Sequence, residues 1–306
     1  NAIGHIHIQI NAPTATPTLP AADLQARIQN ALQSGDLKAA LDEIRAYDDS
    51  NPNDVKWHAV LTQMLTLRAY GSNAQTAIDS GQAAINANPE VADGWAAEAL
   101  ALDWGQQSQV ALSADWKHQL QAALSDALYA KDLGDPTGMA DATLAGIYLS
   151  LNKVQDAGTF GDNALKANPN LAYAYFVKGQ LAAISGDIKG AISLYRQAWD
   201  ASKADPTQPS SYIAVTLAKA YITQNQIDAA KTILTDAETR DKSSPQLRYT
   251  LANLLYGQGD YNKATEAAQQ CLDVAQDYAP CYVLLTRLYT ISKQDDKVLQ
   301  ICLLYT

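Results

Sequence analysis

SYIAVTLAKAYITQNQIDAAKTILTDAETRDK, residues 211–242, holds two amphipathic stretches separated by a short turn. Leu217, Ala218 and Tyr221 mark the first stretch, and Ala230, Leu234 and Ala237 mark the second. Gln224-Asn225-Gln226 lies between them. Moving the frame by 34 residues finds the pattern again. Downstream, the matching places hold Leu251, Ala252, Gly259, Ala264 and Cys271, then Leu285 and Tyr289. Upstream, past a short insertion, they hold Leu144, Ala145, Tyr148, Ala157 and Ala164. A fixed period of this length with helix–turn–helix content predicts a helical solenoid, in which each pair covers its apolar face only by stacking on the next.

Extending the register in both directions divides the chain into about eight pairs. They run from Ala21 to Asn51, Asn53 to Asn88, Val91 to Asp135, Thr137 to Asn168, Leu171 to Ala204, Ser211 to Lys242, Pro245 to Asp277, and from Ala279 to the end. The third carries an insertion around Gly105 to Ser113. Glycine or asparagine in the turn inside each pair tolerates the left-handed backbone that ends a helix. Alanine in the second helix lets two backbones approach closely. A following proline, as in Asn51-Pro52, Asn88-Pro89 and Asn168-Pro169, cannot extend the helix. Residues 1–20 differ from the rest. Ile6, Ile8 and Ile10, with Ile3 before them, alternate with His5, His7 and Gln9 as in a strand with one apolar face. Asn11 to Pro20 is a Thr/Pro-rich extended spacer. The domain expectation is an arm over 1–20 and a repeat domain over 21–306.

These marks resemble the tetratricopeptide repeat family. The fifth pair carries Tyr175, Gly179, Ala182, Gly186, Ala191, Tyr195 and Ala198 in the family's order, and the eighth carries Tyr282, Leu285, Thr286 and Tyr289. The resemblance implies an all-α, right-handed superhelical solenoid whose concave face is lined by the first helix of each pair. On that register the groove holds Tyr173, Phe176, Tyr212, Val215, Tyr249, Asn253, Tyr256 and Arg287. Aromatic rings with interleaved amides suit an extended peptide, whose backbone the amides can bond and whose apolar face the rings can cover.

The chain has 306 residues, 47% of them hydrophobic, and a net charge of −10. Nucleic acid and anionic membrane surfaces need a basic face, so both are excluded as expected partners. No apolar run is long enough to span a bilayer. No nucleophile elbow, Walker loop or H-E-x-x-H pattern occurs, and Gly257-Gln258-Gly259 lacks the strand and third glycine of a dinucleotide loop. His5 and His7 alone make an incomplete metal site, and His58 and His118 read as helix-surface residues. The reading is therefore of no catalytic residue, no cofactor and no metal.

Cysteines stand at 271, 281 and 302. They read either as small apolar residues in helix packing or, in an exported protein, as a Cys271–Cys281 disulfide on consecutive helices. The arm and the C-terminus carry the assembly expectation. Three buried isoleucines contribute roughly 4–9 kcal/mol, so something apolar should hold the arm. Its spacer spans about 31 Å. With helices about 8–10 Å apart, the aromatic groove would lie too far from Ala21 for the arm to fold back. A neighbouring copy then becomes the receptor. Val298, Ile301, Leu304 and Tyr305 form an apolar C-terminal face for stacking on another subunit. The function expected is a self-assembling interaction module, the subunit of an extracellular filament, tube or layer. The alternative is an envelope or cytoplasmic adaptor that binds a peptide of another protein.

Overall fold

The structure, a computed structural model, describes residues 21–51, 53–67, 73–107, 116–205, 207–208 and 211–305. Among them sixteen helices follow one another and no strand occurs. They pair as α1 (Ala21–Gln33) with α2 (Leu37–Ser50), α3 (Val55–Leu67) with α4 (Asn73–Ala87), and α5 (Ala92–Gln107) with α6 (Trp116–Asp132). Next come α7 (Met139–Ser150) with α8 (Val154–Ala167), α9 (Ala172–Ile184) with α10 (Ile188–Ala204), and α11 (Ser211–Thr223) with α12 (Ile227–Arg240). The last are α13 (Pro245–Gly257) with α14 (Tyr261–Val274) and α15 (Ala279–Ile291) with α16 (Asp295–Tyr305). Eight stacked pairs is the architecture that the period demanded. The arm with Ile3, Ile6, Ile8 and Ile10 lies outside the described residues, as do 108–113 of the third pair's insertion.

Two local devices repeat along the stack. Inside the pairs, the first helix ends on a left-handed residue: Asn152 (φ 57°), Gly186 (φ 83°), Asn225 (φ 56°), Gly259 (φ 79°) and Lys293 (φ 54°). The next amide reaches back to close the helix, as in Lys153 N to Tyr148 O at 2.8 Å, Asp187 N to Ala182 O at 2.9 Å and Gln226 N to Tyr221 O at 2.8 Å. Between pairs, an Asn or Asp side chain accepts from the amide two residues on. Asn88 takes Glu90 at 3.1 Å, Asp135 takes Thr137 at 2.8 Å, Asn168 takes Asn170 at 3.0 Å and Asp205 takes Thr207 at 2.9 Å. In the sequence these steps show only as stops before proline. In the structure the side chain sets the turn.

The second helices present small residues to the core. Ala157 and Ala164, Ala191 and Ala198, Ala230 and Ala237, and Ala264 and Cys271 are buried, seven apart on one face. Leucines and tyrosines of both helices, such as Leu217 of α11, Tyr195 of α10 and Leu234 of α12, fill the space between. Cys271 and Cys281 form a disulfide with Cα atoms 6.4 Å apart, so α14 and α15 are covalently joined. Their sequence separation is ten residues, for which loop-closure entropy gives about 2–3 kcal/mol. Because stability in a repeat stack is local, Cys271→Ser should speed hydrogen exchange in α13 to α16 and leave α7 to α10 unchanged. Uniform acceleration along the chain would contradict that local assignment. His58 departs from expectation: it is buried on α3, not at the surface.

The spiral is tight. The α1–α2 turn lies against the end of α12, where Lys242 N donates to Gly35 O at 3.3 Å and Lys242 Nζ donates to Ser34 O at 3.0 Å. The first pair therefore meets the sixth. This removes the distance argument by which the arm could reach only a neighbouring copy: a linear count of pairs overestimates separation in a chain that curls back on itself.

Candidate functional site

The groove positions lie on the first helices of their pairs: Tyr173 and Phe176 on α9, Tyr212 and Val215 on α11, Tyr249, Asn253 and Tyr256 on α13, and Arg287 on α15. They divide into two sets. Tyr173, Phe176, Tyr212 and Val215 are only 4%, 3%, 6% and 3% exposed. They are core, not an open groove, which corrects the expectation for half of the surface. The cause is Trp104 of α5. Its ring lies 5.3 Å from that of Tyr212, 6.3 Å from Phe176 and 6.5 Å from Tyr173, and its Nε1 donates to the Tyr173 hydroxyl at 3.2 Å. Phe176 and Tyr212 complete the cluster edge to face at 4.6 Å. Leu67 of α3 joins the same core. An indole from pair three thus covers the inner faces of pairs five and six.

This closure traps polar groups. The Tyr173 hydroxyl occupies room that Gly146 leaves open, since a Cβ there would stand 2.5 Å from it. Asp103, on α5, is 1% exposed, and among the described residues neither of its carboxylate oxygens has a hydrogen-bond partner. The hydroxyls of Thr66 and Thr143 are buried in the same condition. Burial pushes the Asp103 carboxyl up to about 6. Burial, with Asp103 adding to it, also pushes the Tyr173 phenol well up. Glu98, one turn back on α5, is pushed up to about 7 by burial and then by Asp126 of α6. Among the described residues no three His, Cys, Asp or Glu lie together where a metal ion could be held.

The second set stays open. Tyr249 and Tyr256 are half-buried and Asn253 is exposed, all on one face of α13 at intervals of four and three residues. One repeat later, Val283 (49% exposed) and Arg287 stand in the places of Tyr249 and Asn253. The open aromatic surface of this set lies on pairs seven and eight and carries phenols, an amide, an apolar side chain and a cation. The C-terminal stacking face also needs correction. Val298 and Ile301 turn inward and pack on the core of Leu284, Leu285 and Leu288. Leu299 and Leu303, four apart on the opposite side of α16, are 63% and 77% exposed. The side chains of Leu304 and Tyr305 lie outside the described residues.

A stack of paired helices with an inward-facing, partly open aromatic wall defines a helical-repeat scaffold. Residues 182–254 and 245–278 each match a tetratricopeptide repeat family, so that stretch, within pairs five to seven, carries repeats of this family. Repeats of this family support a protein–protein interaction module. Among solved structures, the Cut9–Hcn1 hetero-tetramer of APC/C matches with a TM-score of 0.62 at 16% identity, over 85% of this chain and 48% of that one. The pilF protein of Pseudomonas aeruginosa matches with a TM-score of 0.53 at 17% identity, over 69% and 90%. YrrB, described as a TPR protein with an unusual peptide-binding site, matches at 0.44 and 17% identity, over 58% and 90%. At these identities the likeness is one of fold. No curated protein matches the sequence.

Proposed function

We propose that the chain is a non-enzymatic scaffold that receives an extended polypeptide segment on the open inner face of pairs seven and eight. One observation carries this reading: Tyr173, Phe176, Tyr212 and Val215 of pairs five and six are buried in the core, whereas Tyr249, Asn253, Tyr256, Val283 and Arg287 of pairs seven and eight remain accessible. Asn253 can bond a peptide backbone, the two phenols can cover apolar side chains, and Arg287 can pair with a carboxylate.

The finer reading is self-assembly in which the segment is the Asn1–Ile10 arm of another copy, making the chain a subunit of an extracellular polymer. The alternation of Ile6, Ile8 and Ile10 supports it, as do the exposed Leu299 and Leu303. The Cys271–Cys281 bond supports export, because disulfides persist in oxidising compartments. A fluorescent peptide NAIGHIHIQI, titrated with the full chain and followed by anisotropy, tests both levels. Saturable binding that weakens at least tenfold in Tyr249→Ala/Tyr256→Ala is the expected result. No binding, together with a monomer at every concentration in light scattering, would discard self-assembly. Binding unaffected by the double substitution would discard this groove.

A further inference from the structure

We infer that the α1–α2 turn is a clasp that holds the spiral shut, and that its release opens the inner face of pairs three to six, which the closed chain fills with its own aromatic rings. This goes beyond the groove of pairs seven and eight and does not depend on it. The contact is built for fit. Gly35 is buried although it sits in a turn, its φ is +71°, and a Cβ there would lie 2.2 Å from the Thr239 carbonyl oxygen. No basic residue stands in the last turn of α1. Lys242 of the sixth pair supplies that cation, its ammonium bonded to Ser34 O at the helix's negative end. The receiving loop is braced. Asp241 is buried and accepts from the Ser211 hydroxyl and from Ser243 N at 3.2 Å, and Arg248 Nη2 donates to Lys242 O at 2.6 Å.

Yet the clasp itself is thin. Among the described residues it consists of two hydrogen bonds and one close backbone approach, while the interior of the stack holds the Asp103 carboxylate and the Thr66 and Thr143 hydroxyls, buried without hydrogen-bond partners among those residues. Such groups favour water over a closed interior. An interior that buries such groups and is closed by a small contact can act as a two-state element.

Gly35→Ala adds a methyl group that the sixth pair cannot accommodate. Gly186→Ala is its control: the same turn position, φ +83°, with nothing within 4 Å of the added carbon. In the full chain, Gly35→Ala should raise hydrogen exchange tenfold or more over Thr239–Lys242, α9 and α11, and enlarge the radius of gyration in X-ray scattering. Gly186→Ala should perturb exchange only in its own pair. Should Gly35→Ala fail to fold, Lys242→Met decides, with the same regions responding more weakly. Unchanged exchange at α9 and α11 in the variant that decides would overturn the proposal, as would the same distant pattern from Gly186→Ala.

Discussion

Trp104→Ala is expected to destabilise the protein by about 3–5 kcal/mol, the range for deleting a large aromatic side chain from a packed core. The size follows from what the ring joins. Trp104 belongs to the third pair, but its neighbours Tyr173, Phe176 and Tyr212 belong to the fifth and sixth. Most contacts in a repeat stack link adjacent pairs, so losing one of them weakens only one interface. This residue instead ties together pairs that are not adjacent, and its removal should also uncouple them. Urea unfolding followed by circular dichroism should then show a lower midpoint and a broader or divided transition. A loss below about 1 kcal/mol with the transition shape unchanged would show that the rings touch without holding the spiral closed.

Asp103→Asn should stabilise the protein, and the gain should depend on pH. The carboxyl titrates at about 6 in the folded chain against 3.8 in a free aspartate, so the folded state holds its proton more tightly than the unfolded state does. Between those values the unfolded chain has already released the proton, and stability falls as pH rises. Above about 6 the penalty is complete, at about 3 kcal/mol, and below about 4 it is nearly absent. The amide cannot ionise and escapes that penalty. Its own imperfect hydrogen bonding is the same at every pH, so the difference between conditions isolates the charge. The stability gain of Asp103→Asn should be about 2 kcal/mol larger at pH 7.5 than at pH 4. Equal gains at the two pH values, measured by urea titration, would mean that water reaches Asp103 in the folded protein.

The period of 34 residues, the turn glycines and asparagines, and the alanine stripes were readable in the chain because each reflects a contact within a pair or between neighbouring pairs. Those contacts involve residues at fixed offsets, so local chemistry determined them: a left-handed residue ends one helix, and a small residue lets the next approach. One such signal was present but read too narrowly. Asn88, Asp135, Asn168 and Asp205 set the turns between pairs by accepting from the amide two residues on, where the sequence showed only helix stops. The inward turn of Val298 and Ile301 was also missed, since both faces of α16 are apolar and only the neighbouring core selects one.

By itself, then, the sequence determined the repeat, the number of pairs and which residues share a register position. Only the tertiary structure decided which inward residues remain accessible. Tyr212 and Tyr249 occupy near-equivalent places in successive repeats, yet one is buried beneath Trp104 and the other lines open surface. The physical reason is curvature. Small rotations from pair to pair add up until pair three meets pair six and Gly35 meets Thr239, and no single repeat carries that sum in its own residues.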